Sequence, residues 1–407
     1  MRILHLIGSM DPKTGGPCQG IRLAAPISED MSVYREVVCG DEPMSAYLGT
    51  DPFPVHALGG MGNPWCYSPE LLPWLRKNVH RFDAVITNGL WLYHAQAVRK
   101  VLKEEEKEGR KKPKWYVMPH GMLDPYFQKA TDRRWKAFRN WIYWKLLERK
   151  TISQSDGLLF TCETELLVAR TTFTGYAPKR ERNVGYGVSS PPVYNDIMRE
   201  AFLEICPEVT DKPYLLFLSR IHTKKGVDLL IDAYSKLADK SVENNYCLPY
   251  LVIAGPGGDT PYGQSLQRLV RKNSKVKNMI FFTGMLQGDA KWGAFYGCEA
   301  SVLPSHQENF GITVAESLAC AKPVLISNQV NIWREIEAGG GGLVTSNTQA
   351  GTFQLLKNWV SMPKSEQKKM STQAKAVFEK HFTIVEAVSN FVKEIGDSNK
   401  KARVGLQ

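Results

Sequence analysis

The sequence lacks the features that mark several specialised protein classes. No Cys-x-x-Cys pair occurs among its eight cysteines, which excludes a disulfide framework and a zinc site. Free, mostly buried thiols are typical of a reducing compartment, so we expect a cytoplasmic location. No apolar run reaches the roughly 18 residues of a membrane span, and the first residues hold too short an apolar run for a signal peptide. These absences predict a soluble or peripheral protein.

Two ligand-binding motifs are also missing. The chain contains no Asp-x-Asp, although a divalent ion that bridges a diphosphate usually needs carboxylates close together. We therefore expect no metal and no further cofactor, and a bound diphosphate would be neutralised by cations and helix N-termini. A Gly-x-Gly-x-x-Gly motif is absent as well, which disfavours a dinucleotide-dependent oxidoreductase.

Acidic residues are outnumbered by basic ones. Lys plus Arg total 52 against 41 Asp plus Glu, a formal net charge of +11. This excess favours an anionic partner. Nucleotide phosphate, nucleic acid and an anionic membrane face are the alternatives, and charge alone does not choose among them. The 407 residues predict two to three domains, and 43% apolar with 23% charged residues is ordinary for globular proteins.

Short apolar runs alternate with longer amphipathic ones, which predicts parallel βαβ units. Most predicted strands end in small, polar or turn residues, where α/β sheets place their ligands. A Pro-rich polar stretch, Tyr186–Asp211, is interpreted as a linker between two similar α/β halves that face each other across a cleft. The predicted strands are Ile3–Ile7, Glu36–Cys39, Ala84–Thr87, Trp115–Pro119 and Gly157–Thr161, then Tyr214–Ser219, Tyr250–Ala254, Ile280–Thr283, Ser301–Pro304, Val324–Ser327 and Leu343–Thr345.

Two motifs of the second half carry groups suited to a phosphorylated sugar. Ser219–Gly226 places Arg220 and Lys225 after a strand, and both cations can bind phosphate oxygens. Pro304–Glu316 follows another strand and opens a helix, whose first N–H groups can hold a phosphate or a hydroxyl. The alternatives are a solvated basic loop for the first motif, and a capping carboxylate with a solvent-facing Glu for the second.

Two motifs of the first half are weaker. Asp11–Pro17 follows the first strand, and its paired glycines let backbone N–H groups approach a ligand. Met118–Asp124 places His120 at the end of another strand. The alternatives are a flexible turn and a structural histidine.

A basic, aromatic-rich helix is predicted over residues 133–150. Trp135, Phe138, Trp141, Ile142 and Lys145 share one side of it. This side either contacts anionic lipid headgroups or packs into the core while the cations stay solvated, and the packing interpretation is preferred.

Taken together, these motifs resemble those of retaining glycosyltransferases of the GT-B fold, family GT4 (glycosyl transferases group 1). The resemblance covers nearly the whole chain and is strongest over 214–344. It rests on Ser219-Arg220 with Lys225-Gly226, on Glu308 and Glu316 eight residues apart, and on the runs Ala319–Val324 and Asn331–Val344. The sequence departs from the family pattern at two residues. Asn309 stands where the family often has Gly, and Ala321 stands where it usually has Gly.

The resemblance implies roles for particular residues. Arg220 and Lys225 would hold the donor diphosphate, and Glu316 would bind the ribose. Glu308 would contact the donor sugar, with the backbone of Asn309, Phe310 and Gly311 alongside. In the first half, Gly15 and Gly16 would form a loop near donor phosphate and acceptor, and His120 would line the cleft near the reacting centre.

The resemblance also implies an architecture and a reaction. Residues 1–195 would form an acceptor domain, joined by a C-terminal helix at about 383–407 that crosses back to it, and residues 196–382 a donor domain. The enzyme would move a sugar from a nucleoside-diphosphate sugar to a glycan or lipid-linked saccharide, in surface polysaccharide or lipopolysaccharide biosynthesis. It would lie in the cytoplasm, with peripheral contact at the inner membrane face left open and no nucleic acid expected. The alternatives are a sugar-nucleotide hydrolase or epimerase, and a non-catalytic nucleotide-sugar or nucleic-acid binding protein.

Overall fold

The computed structural model describes residues 1–60, 62–130, 133–244 and 248–404. The chain divides into two compact units. Unit 1 contains Met1–Gly187 together with Ile384–Gln407, and unit 2 contains Val188–Thr383. The sequence placed the domain boundaries after residues 195 and 382, whereas the structure changes unit after Gly187 and Thr383.

Unit 1 is built on a seven-stranded parallel sheet. Its order is β3-β2-β1-β4-β5-β6-β7, so the direction of strand addition reverses between β1 and β4. The central strands are almost wholly buried, which explains their continuous apolar runs. The sequence missed β3 and β7, which have three residues each and no fully buried position. The strands are β1 (Arg2–Ile7), β2 (Tyr34–Cys39), β3 (Val55–Ala57), β4 (Ala84–Asn88), β5 (Lys114–Met118), β6 (Gly157–Phe160) and β7 (Glu181–Asn183).

Helices connect these strands and cover the sheet. Leu75, Val98 and Val101 are examples of helical residues that are buried in the same core cluster as strand residues. The helices of this part of the chain are α1 (Gly16–Asp30), α2 (Leu71–Asn78), α3 (Tyr93–Lys107), α4 (Tyr126–Lys129), α5 (Arg134–Tyr143), α6 (Arg149–Gln154) and α7 (Glu163–Ala169), with a π-helical segment at Trp144–Glu148 and 3-10 turns at Pro12–Thr14 and Val79–Arg81.

The prediction that the aromatic side of residues 133–150 packs into the core was wrong. Trp135 is 86% exposed, Phe138 55% and Trp141 45%. The core instead receives Trp144, which is fully buried and stacks on Phe173 with ring centroids 4.6 Å apart. The sequence did not reveal which of two apolar sides would meet the core, because aromatic residues occur around much of the helix.

Unit 2 is built on a six-stranded parallel sheet of order β10-β9-β8-β11-β12-β13. Here the direction of strand addition reverses between β8 and β11. All six strands were predicted, with ends that differ by at most one residue. They are β8 (Tyr214–Leu218), β9 (Tyr250–Ala254), β10 (Ile280–Gly284), β11 (Ala300–Leu303), β12 (Val324–Ser327) and β13 (Gly342–Thr345).

The helices of unit 2 include one that the sequence missed. The predicted linker contains α8 (Asp196–Ile205), which buries Met198 and Phe202 against a later helix. Asn195 caps α8 by accepting a hydrogen bond from the Met198 N–H. The other helices are α9 (Val227–Asn244), α10 (Pro261–Lys272), α11 (Gly288–Gly297), α12 (Ile312–Ala319), α13 (Trp333–Ala338), α14 (Gln349–Val360) and α15 (Lys364–His381), with 3-10 turns at Pro207–Val209 and Thr223–Lys225.

The last helix, α16 (Ile384–Val404), belongs to unit 1. Its apolar stripe buries Val388, Phe391 and Ile395. Phe391 and Ile395 share a core cluster with Ile3 of β1 and Tyr116 of β5. The expected return of the C-terminal helix to the first domain is therefore confirmed.

The cysteines are buried, as expected, where the structure describes them. The seven cysteines in the described ranges are buried and form no disulfide, and Cys247 lies outside those ranges. Among the helices of the same ranges, none is both long and apolar enough to cross a bilayer.

Candidate functional site

The main cluster of candidate residues lies in unit 2 at the carboxyl ends of β8 and β11. These strands are neighbours at the point where the strand order reverses. Parallel α/β sheets bind ligands at such a point, because the loops on either side of it diverge and leave a crevice. The loop after β8 carries Arg220 and Lys225, and the loop after β11 carries Glu308.

Gly226 lets these two loops touch. Its φ is +67°, and a Cβ at this position would lie 2.2 Å from the Pro304 carbonyl oxygen. The His306 N–H also donates a hydrogen bond of 2.8 Å to the Lys224 carbonyl. A side chain at residue 226 would therefore push the loops apart, which explains why glycine ends this basic motif.

Lys225 and Glu308 form an ion pair across the two loops. The Lys225 side chain is 7% exposed and that of Glu308 is 19% exposed. Burial, followed by the charges of Lys224 and Arg220, lowers the pKa of the Lys225 ammonium to about 7, whereas the ion pair with Glu308 favours the charged form. The structure thus brings together two residues that lie 83 positions apart in the sequence.

Arg220 remains accessible beside this pair. It is exposed and forms no ion pair within the ranges that the structure describes. The backbone around it is fixed, because the Ser219 N–H donates to the Ala254 carbonyl and the Ile221 N–H to the Pro256 carbonyl. An Arg held in this way has its guanidinium group available for an anionic ligand.

The sequence analysis missed the loop that supports Arg220, Gly255-Pro256-Gly257. Gly255 has a φ of +140°, and a Cβ there would lie 1.9 Å from the Ser219 carbonyl oxygen. A Cβ at Gly257 would likewise lie too close to the Ile221 carbonyl oxygen, at 2.6 Å. The sequence did contain a signal for this loop, because a Gly-Pro-Gly run directly after a predicted strand indicates a tight turn.

The start of α12 lies next to Glu308. Gly311 is its N-cap with a φ of +81° and no side-chain cap. Phe310 is buried and contacts the edge of the Phe382 ring. Asn309 does not need left-handed backbone, because the left-handed residue of this turn is Gly311. The helix start therefore presents amide dipoles beside the carboxylate of Glu308 without a capping side chain.

Ala321 is the second departure from the family pattern, and it adopts the left-handed conformation that glycine favours, with a φ of +56°. The turn is therefore kept at some cost in backbone strain.

Glu316 pairs with Lys291, a residue that the sequence analysis missed. The Lys291 Nζ to Glu316 Oε1 distance is 2.6 Å. Burial raises the pKa of Glu316, and Lys291 opposes that shift. The buried Oε2 atom accepts no hydrogen bond from any residue in the described ranges. Glu316 therefore has one oxygen fixed by Lys291 and one available to a hydroxyl.

Gly15 and Gly16 lie in unit 1 after β1. Gly15 is the N-cap of α1 with a φ of +99°, and α1 begins at Gly16. A Cβ at Gly15 would meet nothing within 4 Å, so packing does not demand a glycine there. The left-handed φ does favour it.

His120 follows β5 in unit 1 with a φ of +51°. Its Nε2 lies 3.0 Å from the Oδ1 of Asn88, and the Nδ2 of Asn88 donates to the Leu6 carbonyl at 3.1 Å. Because Oδ1 must then accept, His120 carries its proton on Nε2 and leaves Nδ1 as an acceptor. Burial lowers the pKa of His120 to about 4, so the ring is neutral at neutral pH.

A buried row of polar side chains continues from Asn88 across the sheet. His5 lies in β1, with its Nδ1 3.4 Å from Asn88 Nδ2, and its Nε2 accepts a hydrogen bond of 2.9 Å from Arg35 Nη1. These residues and His120 line a cavity of about 70 Å³. The sequence analysis missed His5, Arg35 and Asn88, because they lie inside or at the end of strongly apolar strands.

Comparison with known proteins shows which proteins this chain resembles. Residues 198–377 match the model of the family "Glycosyl transferases group 1". An uncharacterised glycosyltransferase of Methanocaldococcus jannaschii is 27% identical over 154 residues, 37% of each protein. The mannosylfructose-phosphate synthase of Agrobacterium fabrum is 28% identical over 127 residues, 31% of this chain and 27% of the relative. The aligned segments thus span about a third of the length of these curated relatives.

Solved structures match the whole chain. HepE of Anabaena, crystallised with UDP and glucose, superposes with a TM-score of 0.72 over 98% of this chain and all of its own, at 16% identity. A sucrose-phosphate synthase of Thermosynechococcus elongatus gives a TM-score of 0.72 over 98% of this chain and 99% of its own, at 15% identity. The two Rossmann-like units therefore have the GT-B fold of glycosyltransferases, and residues 198–377 are similar to the glycosyl transferases group 1 family.

Proposed function

We propose that this chain is a retaining glycosyltransferase that moves a sugar from a nucleoside-diphosphate sugar to a hydroxyl of a glycan or lipid-linked saccharide. The observation that carries the proposal is the partly buried Lys225–Glu308 pair beside Arg220 and the start of α12. Two cations and the amide dipoles of a helix start, at the carboxyl ends of two neighbouring strands, suit a diphosphate. The adjacent carboxylate suits sugar hydroxyls.

Departure of the diphosphate is the step that most needs the protein. As the bond between the anomeric carbon and the phosphate oxygen breaks, negative charge develops on that oxygen. Lys225 and the amides at the start of α12 are held in place before the reaction, and together with the accessible Arg220 they would stabilise that charge without a metal ion. The acceptor oxygen would bond to the anomeric carbon on the same face, and its proton would pass to the leaving phosphate, so that configuration is retained.

Two further residues fit the binding of donor and acceptor. The Oε2 atom of Glu316 is buried and has no partner among the described residues, which suits a ribose hydroxyl. The Nδ1 of His120 suits a hydroxyl donor, because Asn88 holds the ring as its Nε2–H tautomer. We assign His120 a role in hydrogen bonding to substrate rather than in proton transfer, because its low pKa keeps the ring neutral.

The donor can be identified by a thermal-shift panel of sugar nucleotides, followed by a transfer assay with glycan and lipid-linked acceptors. A specific donor should raise the melting temperature, since ligands that bind only the folded state stabilise it. We expect transfer in the presence of EDTA, with Lys225→Ala and Glu308→Ala inactive but folded. Lys236→Ala is a matched control, because Lys236 also forms an ion pair but lies on an exposed helix face.

The rival functions predict other results. Release of sugar or its isomerisation without an acceptor would indicate a hydrolase or an epimerase. Salt-sensitive binding of RNA or DNA without sugar release would indicate a nucleic-acid binding protein. Near-normal transfer by both alanine variants, or a strict requirement for a metal ion, would contradict the proposed site.

A further inference from the structure

Helix α5 and the π-helical segment after it expose five large apolar side chains. We call this set the aromatic face and define it as Trp135, Phe138, Trp141, Ile142 and Leu146. Trp135, Phe138 and Ile142 follow the i, i+3, i+7 spacing of one helical side. Trp135 and Leu146 are 86% and 62% exposed, which is unusual for residues of this size.

The opposite side of the same segment is firmly packed. Trp144 stacks on Phe173, and its Nε1–H donates to the Thr174 carbonyl at 3.0 Å. Glu148 is fully buried and accepts a hydrogen bond of 2.9 Å from the Trp91 N–H. The helix is therefore held in place by its inner side, and the aromatic face is not needed to attach it to unit 1.

The segment that carries the aromatic face exposes positive charge and no negative charge. Residues 133–150 contain a single carboxylate, Glu148, which is buried, so no acidic side chain of this segment reaches the surface. Lys145 lies 3.9 Å above the ring of Trp141, so positive charge is in contact with the apolar surface itself. The exposed cations of the segment are Arg134, Lys136, Arg139, Lys145, Arg149 and Lys150.

We propose that the aromatic face docks on a membrane surface containing anionic lipid. Tryptophan side chains partition to the boundary between headgroups and acyl chains, and the surrounding cations would pair with lipid phosphates. Nucleic acid could also bind the cations and stack on the aromatic rings. The aliphatic side chains of Ile142 and Leu146 offer it no such contact, so they favour a lipid surface. This inference goes beyond the proposed function and does not depend on it, because docking requires no sugar nucleotide.

The test is flotation of the full-length protein with vesicles, without substrates. We expect co-flotation with vesicles of phosphatidylcholine and phosphatidylglycerol, and little with phosphatidylcholine alone. The triple variant Trp135→Ala, Phe138→Ala, Trp141→Ala should lose at least about tenfold of the partition coefficient, since each removes interfacial apolar area. Lys136→Glu with Arg139→Glu should lose binding while keeping the apolar surface.

Matched controls distinguish docking from general effects of charge and folding. Lys368→Glu with Lys369→Glu changes the net charge equally on α15 of unit 2, and it should float like the unmodified protein. Leu269→Ala removes an exposed apolar side chain elsewhere and should also have no effect. Circular dichroism of each variant should match that of the unmodified protein. Unchanged flotation of the triple variant, or loss of self-association or of nucleic-acid binding instead of vesicle binding, would overturn the proposal.

Discussion

The two units place their candidate residues at a similar topological position, but the residues of unit 2 are charged and those of unit 1 are neutral. In each sheet the residues cluster near the carboxyl ends of strands on either side of the reversal, between β1 and β4 in unit 1 and between β8 and β11 in unit 2. Unit 2 contains the ion pairs Lys225–Glu308 and Lys291–Glu316. Unit 1 instead contains His120 and Asn88, which are neutral partners in one hydrogen bond.

This difference indicates what each unit can bind. A diphosphate needs fixed cations, and burying such cations is tolerable only when carboxylates pair with them until the ligand arrives. A sugar hydroxyl needs only a donor or an acceptor in the correct orientation, which a neutral imidazole provides at lower desolvation cost. We therefore expect variants of unit 2 to affect charge-dependent steps and variants of unit 1 to affect orientation.

The largest effect is expected for Lys225→Met, which keeps the length of the side chain but removes its charge. Loss of one fixed charge at the leaving group should lower kcat by about 10²–10³-fold. The equivalent loss in unit 1, His120→Gln, should cost far less, because glutamine keeps an acceptor. Steady-state kinetics with the donor from the thermal-shift panel would measure both. Equal losses of kcat in the two variants would contradict the proposal that unit 2 acts through charge and unit 1 through orientation.

The pH dependence of nucleotide binding should differ between the units. The pKa of Lys225 lies at about 7 in the free protein, so its ammonium is progressively deprotonated above that pH. A diphosphate binds the charged form, and the affinity for UDP or GDP should therefore fall by up to about fiftyfold between pH 7 and pH 9.

Calorimetry in two buffers of different ionisation enthalpy should detect the accompanying proton uptake. Lys225→Met should bind weakly and lose this pH dependence. His120→Gln should keep it, because His120, with a pKa of about 4, does not titrate in this range. A flat pH profile in the unmodified protein would contradict the assignment of Lys225.

A smaller effect is expected for Asn88→Ala in unit 1. This change removes the acceptor that fixes the His120 tautomer and should lower kcat by about tenfold, since a buried hydrogen bond contributes roughly 1–1.5 kcal/mol. Asn88→Asp keeps an acceptor and should retain more activity. Donor affinity measured by calorimetry should stay unchanged in both variants. A loss of donor affinity would show that the two units are not separable in this way.

The smallest effect is expected when glycine replaces a residue with a left-handed backbone conformation. Ala321 in unit 2 and His120 in unit 1 are two such residues. Ala321→Gly should raise the free energy of unfolding by about 1 kcal/mol, because glycine adopts this backbone without strain. His120→Gly should bring no such gain, because it also removes a hydrogen bond to Asn88. Urea denaturation would measure both changes. Destabilisation by Ala321→Gly would show that side-chain packing outweighs backbone strain there.

The sheets were largely predictable from the sequence because parallel strands buried on both sides leave continuous apolar runs. The failures have physical reasons. β3 and β7 are too short and too exposed to leave such a run. Helix α8 was hidden by the Pro-rich residues before it, and its own amphipathic stripe became meaningful only against α11.

The candidate site was predictable where polar residues follow strands and not where they lie within them. Arg220, Lys225 and Glu308 stand in loops whose positions are fixed by the strands before them. Lys291 lies on a helix, and nothing in its local sequence indicates that it pairs with Glu316. Similarly, the aromatic side of α5 could not be oriented, because helical spacing gives the stripe but not the direction in which it faces.

The chain passes from unit 1 to unit 2 and returns with α16, and this path has a consequence for biogenesis. Ile3 and Tyr116 share a core cluster with Phe391 and Ile395, which the ribosome adds only after all of unit 2. The first sheet therefore keeps part of its apolar surface uncovered until α16 is synthesised, whereas unit 2 can bury its own core before that. During synthesis, the half that begins earlier is completed later.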